Sequence, residues 1–299
     1  MNTRIEKFKT GIKKDPLRTI SRAIKYTLQD LFVIIGYRTC RALIMHLPTQ
    51  QQALIKDSLH PIVRMDYDRY EINICADSIH LIKRARAYQK EPDTVRWIEE
   101  FVDAGEIFYD IGANVGAYSL IASKYFLGNL KIYAFEPSFS NYDQLCRNVI
   151  LNDCKDSIFP YLIALNDRSG PVIFNYKMLD AGGAYHKLGD IQNGNPGGFV
   201  PAYQQRLLGF SIDYLVSSFG FPAPNHIKLD VDGAEVVVLE GAAETLKGNF
   251  VKSILVEVRE SDGTGAKVLN QLSLAGFDLV SEINLRNKGI WNYIFKKRP

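Results

Sequence analysis

Residues Phe108 to Gly116 read Phe-Tyr-Asp-Ile-Gly-Ala-Asn-Val-Gly, an apolar run that delivers Asp110 and then breaks at Gly112, Asn114 and Gly116. The run fits a buried strand, and the glycines after it permit a sharp turn whose backbone can approach a ligand closely. The spacing predicts a strand over 108–111 and a helix over 115–125, with a binding turn between them.

One strand later, Lys131-Ile-Tyr-Ala-Phe-Glu136-Pro137 is a second apolar run ending in a single carboxylate. In a doubly wound sheet an acid at that tip sits beside the first turn and can take both ribose hydroxyls of an adenosine. A nicotinamide dinucleotide wants G-x-G-x-x-G, so that its pyrophosphate rests on a helix N-terminus. Here the pattern is D-x-G-x-N-x-G, with Asp110 ahead of the first glycine. A carboxylate there repels a pyrophosphate and suits the sulfonium and amino groups of S-adenosylmethionine.

Downstream the chain alternates strands and helices as a parallel sheet covered on both faces requires. Strands are predicted over 108–111, 132–135, 160–165, 227–229, 254–258, 277–280 and 291–295, and helices over 141–151, 212–219, 234–246 and 266–275. The stretch from Ser281 to Ile290 has no helical pattern, which predicts a hairpin and an antiparallel final strand. The expected fold is α/β, a Rossmann-like seven-stranded sheet of the class I methyltransferase type, preceded by a helical extension.

A second cluster, Ile227-Lys228-Leu-Asp230-Val-Asp232-Gly-Ala-Glu235, brings three carboxylates and a lysine to the ligand edge of that sheet. Methyl transfer from a sulfonium is an in-line displacement, so the protein chiefly aligns and desolvates the reactants. An alcohol nucleophile also loses a proton. Asp230 or Asp232 can accept it, and Lys228 can keep the carboxylates ionised or stabilise alkoxide character. The bland alternatives are an ion pair at a strand end for Lys228 and Asp230, and a favourable helix-dipole position for Asp232 and Glu235. Glu235 is read in the bland way and Asp230 as catalytic.

With these motifs in hand, the chain resembles the FkbM family of S-adenosylmethionine-dependent methyltransferases. The resemblance is carried by Tyr109 to Gly116, Phe135-Glu136-Pro137, Ser211-Ile-Asp213-Tyr-Leu215, Lys228 to Glu235, Leu239-Glu-Gly-Ala242, Val256-Glu257 and Asn292-Tyr-Ile-Phe295. It implies O-methylation, often of sugar hydroxyls in glycans or of secondary metabolites. It also implies that Asp110, Gly112, Asn114 and Gly116 line the methionine part of the cofactor and Glu136 its ribose, with Pro137 and Ser138 flanking the adenosine. Ala164 and Leu165, at the end of the third strand, become candidates for the adenine ring, although apolar residues there are usually core. Asp232 stands where the family usually has glutamate, one methylene longer.

Acceptor recognition is expected from Tyr176 to Phe210, a glycine- and proline-rich stretch read as lacking any regular element. Tyr185, His186, Tyr203 and Arg206 can stack on a sugar and bind its hydroxyls, or they are incidental to a surface excursion; the sequence leaves both open. Glu257 joins them as a substrate-side residue, and His186 is the histidine considered as a base. Asp230, Asp232 and Glu257 offer hard oxygen ligands, yet no His or Asn cluster completes a metal site, so no metal is expected.

The chain has 299 residues, a net charge of +3 and 46% apolar composition, which fits one large domain plus an accessory piece. Boundaries are expected at 1–62 for a basic helical region, 63–90 for a short β-rich connector and 91–299 for the methyltransferase domain. The first 25 residues hold eight basic and two acidic side chains, so +6 resides there and −3 in the remainder. Leu17, Ile20, Ile24, Leu28, Leu31 and Ile35 then mark an amphipathic helix running on to Leu47, where Pro48 stops it. Packing on the chain's own domain or a partner subunit, and peripheral attachment to an anionic membrane, are the two readings. Asp30, Arg38 and Arg41 disfavour a transmembrane span, no signal peptide is visible, and four unpaired-looking cysteines suggest a reducing, cytoplasmic setting. A nucleic-acid substrate is disfavoured by the acidic catalytic region. The rival function is a non-catalytic, cofactor-binding adaptor that docks through the basic helix.

Overall fold

The structure is a computed structural model and describes residues 33, 35–189, 199–259, 263–285 and 289–299. The chain divides into two units, Met1–His60 and Pro61–Pro299. In the first, residues 35–45 are helical and a second helix spans Thr49–Ser58 with Pro48 at its N-cap. Proline therefore begins the next helix, having no N–H that the first turn would miss. Val33, Ile35, Tyr37, Leu43 and Met45 are exposed. The apolar stripe expected from Leu17 to Leu31 lies outside the described residues. Among the described residues no helix is long and apolar enough to cross a membrane.

The second unit opens with an antiparallel ribbon, β1 (Ile62–Arg64) and β2 (Asn73–Cys75), followed by helices Ile79–Arg84, Ala87–Lys90 and Pro92–Phe101. Within the stretch expected to be β-rich, Ile79–Arg84 is helical instead; the Ser78 hydroxyl caps this helix by accepting from the Leu81 N–H. The stretch 63–90 is thus more helical than expected and is no mere connector. Met65, Tyr67, Ile72, Ile74, Ala85 and Ala87 share a core with Leu120 and Ile132 of the main domain. Asn152 and Asn148 hold β2 by accepting the N–H groups of Asn73 and Cys75.

The main sheet contains β3 (Ile107–Ile111), β4 (Lys131–Phe135), β5 (Ile158–Tyr161), β10 (His226–Leu229), β11 (Ser253–Arg259), β12 (Phe277–Asn284) and β13 (Ile290–Lys297). Their order is β12-β13-β11-β10-β3-β4-β5. β13 runs antiparallel to both β11 and β12, and the other neighbours are parallel, as the missing helix between 281 and 290 foretold. β3 and β10 are almost wholly buried, which explains their near-continuous apolar character.

The expected third strand over 160–165 is two strands. β5 forms the edge of the main sheet, where Pro160 leaves no ladder bond unmade. β6 (Ala164–Leu165) joins a second sheet of order β6-β9-β7-β8, with β7 at Gly170–Tyr176, β8 at Lys187–Leu188 and β9 at Tyr203–Phe210. This corrects the reading of 176–210 as irregular throughout. β9 escaped notice because most of it faces solvent, so Tyr203-Gln-Gln-Arg lacks the apolar alternation of a half-buried strand. The expected helix over 234–246 divides into Glu235–Glu240 and Ala243–Lys247. Gly241 lies at the break because a Cβ there would stand 2.0 Å from the Asn166 carbonyl oxygen. Asp213 fixes the second piece by accepting the N–H groups of Glu244 and Thr245.

Candidate active site

The carboxyl ends of β3, β4, β10 and β11 border one cleft, open to solvent. The turn after β3 forms its floor. Gly112, Asn114 and Gly116 have φ of 77°, 52° and 83°. The N–H groups of Gly112 and Ala113 donate to the Phe135 carbonyl, binding the turn to the end of β4. A Cβ on Gly112 would lie 1.8 Å from the Asp230 carbonyl oxygen, so only glycine lets the turns after β3 and β10 meet.

Glu136 is buried and accepts from the N–H groups of Asn114 (2.8 Å) and Ser138 (2.9 Å) and from Asn141 Nδ2 (3.4 Å). Burial outweighs these bonds and pushes its carboxyl up to about 7. Pro137, Ala164 and Leu165 continue the wall with Ile163 and Phe174.

On the other side of β3, Lys228 is buried with Nζ 3.6 Å from Asp110 Oδ1 and 3.6 Å from Asp230 Oδ2, over the Tyr118 ring. Burial opposes the lysine's charge, but Asp230 and Asp110 prevail and raise its pKa. Burial likewise opposes ionisation of Asp230, and Lys228, Lys90 and Arg84 hold its carboxyl below the usual range. Asp232, at φ 56°, accepts the Tyr185 N–H and faces Arg259 Nη2 at 3.8 Å; burial and the Asp230 charge raise it to about 6. Glu257, raised to about 9 by burial and then by Asp230 and Glu91, stays protonated at neutral pH. Glu235 accepts the N–H groups of Gly233 and Val231 and so shapes the turn, in line with the bland reading of that residue.

Of the residues singled out from sequence, Gly112, Asn114, Glu136, Pro137, Ala164, Leu165, Tyr185, His186, Asp230, Asp232 and Glu257 line this cleft. Six do not. Asp110 is fully buried beneath the turn, accepting from Ser119 Oγ at 2.6 Å. Gly116 makes room for Leu145, whose Cδ1 would be 2.4 Å from a Cβ there. Ser138 caps helix Phe139–Leu151 by accepting from the Asn141 N–H. Lys228 reaches only a small adjoining pocket that it shares with Asp230. Tyr203 and Arg206 lie on β9, where Tyr203 packs on Tyr176 and Arg206 faces solvent. His186 is corrected as a base. Its Nδ1 accepts the Lys177 N–H at 3.1 Å, and burial lowers its pKa to about 4.

Sequence reasoning missed Arg84, Lys90, Glu91, Asn141 and Gly183, all in the wall. Arg84, Lys90 and Glu91 arrive from helices ahead of the sheet and carried no signal, whereas Asn141, in the first helical turn after Glu136-Pro137, was within reach of inspection. The Gly183 carbonyl accepts from Asn114 Nδ2 (2.8 Å) and Asn141 Nδ2 (3.3 Å), and Arg84 Nε donates to the Gly182 carbonyl (3.2 Å). With the Tyr185 bond to Asp232, residues 182–185 form a strap tied to the tips of three strands. Among the described residues no group of three or more His, Cys, Asp or Glu side chains is placed to hold a metal ion.

A seven-stranded sheet with an antiparallel β13, a glycine turn after β3 and an acid after β4 define the class I methyltransferase architecture. The family model described as the methyltransferase FkbM domain matches residues 110–279, and the chain belongs to that family. The chain is 27% identical over 219 residues to the hexuronic acid methyltransferase AglP of Haloferax volcanii, covering 73% of this chain and 82% of the relative. It is 28% identical over 195 residues to the methyltransferase sdnD of Sordaria araneosa, covering 58% and 74%. The crystal structure of an FkbM methyltransferase from Methylobacillus flagellatus aligns with a TM-score of 0.47 at 14% identity, covering 64% of this chain and 43% of that one.

S-adenosylmethionine is the cofactor of this family, and the residues present fit it. The buried Asn114 Oδ1, without a partner among the described residues, offers an acceptor to an ammonium group at the turn after β3. Asp230, held ionised at the tip of β10, suits a cation.

Proposed function

We propose that this protein is an S-adenosylmethionine-dependent O-methyltransferase acting on a hydroxyl of a sugar, glycan or other polyhydroxylated metabolite. The observation that carries the reading is the place of Asp230, which lines the same cleft as Gly112 and Glu136 while Lys228 holds it ionised from behind. When bound, the cofactor supplies a methyl group made electrophilic by its positively charged sulfur.

The chain's own residues do the rest. Gly112 and Asn114 would hold the amino-acid tail, Glu136 the ribose hydroxyls, and Pro137, Ala164 and Leu165 the base. Asp230 accepts the acceptor's hydroxyl proton as the acceptor oxygen becomes a better nucleophile. With the proton on Asp230, Lys228 keeps Asp110 as its counter-charge, and Asp230 is reset when it passes the proton to solvent. Glu257, neutral at pH 7, can donate a hydrogen bond to a second acceptor oxygen, and the strap residue Tyr185 offers a ring face for a sugar.

The name of the Haloferax volcanii relative makes hexuronic acids and their glycosides the first acceptors to try. Purified protein incubated with S-adenosylmethionine and such acceptors should yield a product heavier by one methylene, detected by mass spectrometry, together with S-adenosylhomocysteine. An acceptor whose target hydroxyl is replaced by hydrogen should give neither. Methylation that persists on that deoxy acceptor and maps to its carboxylate would replace O-methylation of a hydroxyl with ester formation.

A further inference from the structure

We propose that His186 reads the purine of the methyl donor, donating from Nε2–H to a ring nitrogen of the base. The assignment rests on the donor reading given above and moves His186 from the acceptor side of the cleft to the donor side.

The tautomer follows from a backbone contact. Lys177 N–H donates to His186 Nδ1 at 3.1 Å, so Nδ1 carries no hydrogen and the single proton of the neutral ring sits on Nε2. His186 is only 6% exposed, lines the cleft, and its Nε2 has no hydrogen-bond partner among the described residues. A buried N–H left unpaired is unfavourable, and a ligand acceptor relieves it. Burial also lowers the ring's pKa to about 4, so the group remains a one-proton donor across the neutral range.

Position selects the purine over the acceptor. The imidazole packs between Phe174 and Tyr176, with ring centroids 5.4 and 5.2 Å away. The Tyr176 hydroxyl in turn accepts the N–H of Phe139, at the start of the helix that follows Glu136-Pro137. His186 is therefore braced against the loop that carries the ribose acid. The wall beside it is apolar, built from Pro137, Ile163, Ala164, Leu165 and Leu188. Pro137 and Ile163 follow β4 and β5, Ala164 and Leu165 form β6 and Leu188 belongs to β8, whereas Asp230, Asp232 and Glu257 come from β10 and β11 across β3. An apolar slot with one fixed donor matches a flat heterocycle whose ring nitrogens only accept.

The experiment is titration calorimetry of the full chain with S-adenosylhomocysteine and its 1-deaza, 3-deaza and 7-deaza analogues. One analogue should bind wild type roughly 5–10-fold more weakly than the parent, the scale of one lost hydrogen bond. That gap should vanish in His186→Phe and partly survive in His186→Gln, whose amide N–H can substitute. If His186→Phe does not fold, the wild-type series and His186→Gln still decide. Equal affinity of wild type for all four ligands would overturn the assignment. So would a His186→Phe variant that leaves these affinities unchanged and raises the KM of the acceptor. No heat from wild type with any of the ligands would instead remove the donor reading itself.

Discussion

The backbone N–H of Asn114 donates to Glu136 Oε2 at 2.8 Å, which joins the shape of the first turn to the ionisation of the acid after β4. Glu136 is held near pH 7 by burial, so its charge changes within the physiological range. An ionised carboxylate accepts hydroxyl hydrogen bonds better than a neutral acid. Donor affinity should therefore strengthen between pH 6 and 8 and level off above that. Glu136→Gln should weaken S-adenosylmethionine binding by about 10-fold or more and flatten the profile. Calorimetry across pH would reject the assignment if wild type and variant showed parallel profiles.

Asp230→Asn should keep donor affinity within about threefold and lose about 10²–10⁴ in kcat, the usual share of a general base. Single-turnover assays separate the two quantities. A variant that binds donor poorly and turns over normally would place Asp230 in the donor site alone.

Lys228 answers two buried carboxylates, so its removal strands charge rather than merely deleting a contact. Lys228→Met should lose about 3–5 kcal/mol of folding stability, and Lys228→Met with Asp110→Asn should recover part of it. Denaturant unfolding of the two variants provides the check, and equal midpoints would mean that the pair is not coupled.

Glu257 has a folded pKa of about 9 against an unfolded value near 4.3, as expected of a buried acid beside Asp230. A raised acid contributes stability that is fully present below the unfolded value and lost as pH rises through the folded one. Ligand-free protein should therefore lose thermal stability from pH 7 to 9. Glu257→Gln should show a shallower decline. A wild-type melting midpoint that climbs over that interval would contradict the argument.

Gly112→Ala places a methyl 1.8 Å from the Asp230 carbonyl at a φ of 77°, and the expected loss is at least about 3 kcal/mol. Circular dichroism melts would register it, whereas Gly105→Ala, also at positive φ but facing open space, should lose only about 1 kcal/mol.

The sheet and half of the cleft were legible because β3, β4, β10 and β11 are buried on both faces and each is followed by glycine or acid. Such strands advertise themselves as unbroken apolar runs with polar tips. The second sheet was not legible, since β7 and β9 pair chiefly with each other and β9 keeps its polar side chains toward water. Residue type likewise made Tyr203 and Arg206 candidates for the acceptor, while the register of β9 against β7 sets Arg206 opposite Ile173 on the face away from Phe174 and Tyr203 at the end of the ribbon opposite Tyr176. Asp110, Gly116 and Ser138 were found by motif and do support the cleft, but from underneath, a distinction between touching and bracing that spacing alone does not encode. Arg84 and Glu91 precede the recognisable domain, and only the packing of 62–101 onto the core brings them in.

Among the described residues the ribbon of β7 and β9 is ladder-bonded only to β6 and β8 and shares no strand with the main sheet. Residues can be gained or lost between its strands without shifting the register that sets Asp230 opposite the first turn. His186 and the strap at 182–185 lie between β7 and β8, so this flap, exchanged whole between homologues, would carry its hydrogen bonds to Asn114 and Asn141 with it, whereas changes confined to the turns of the ribbon would leave that side of the cleft as it is.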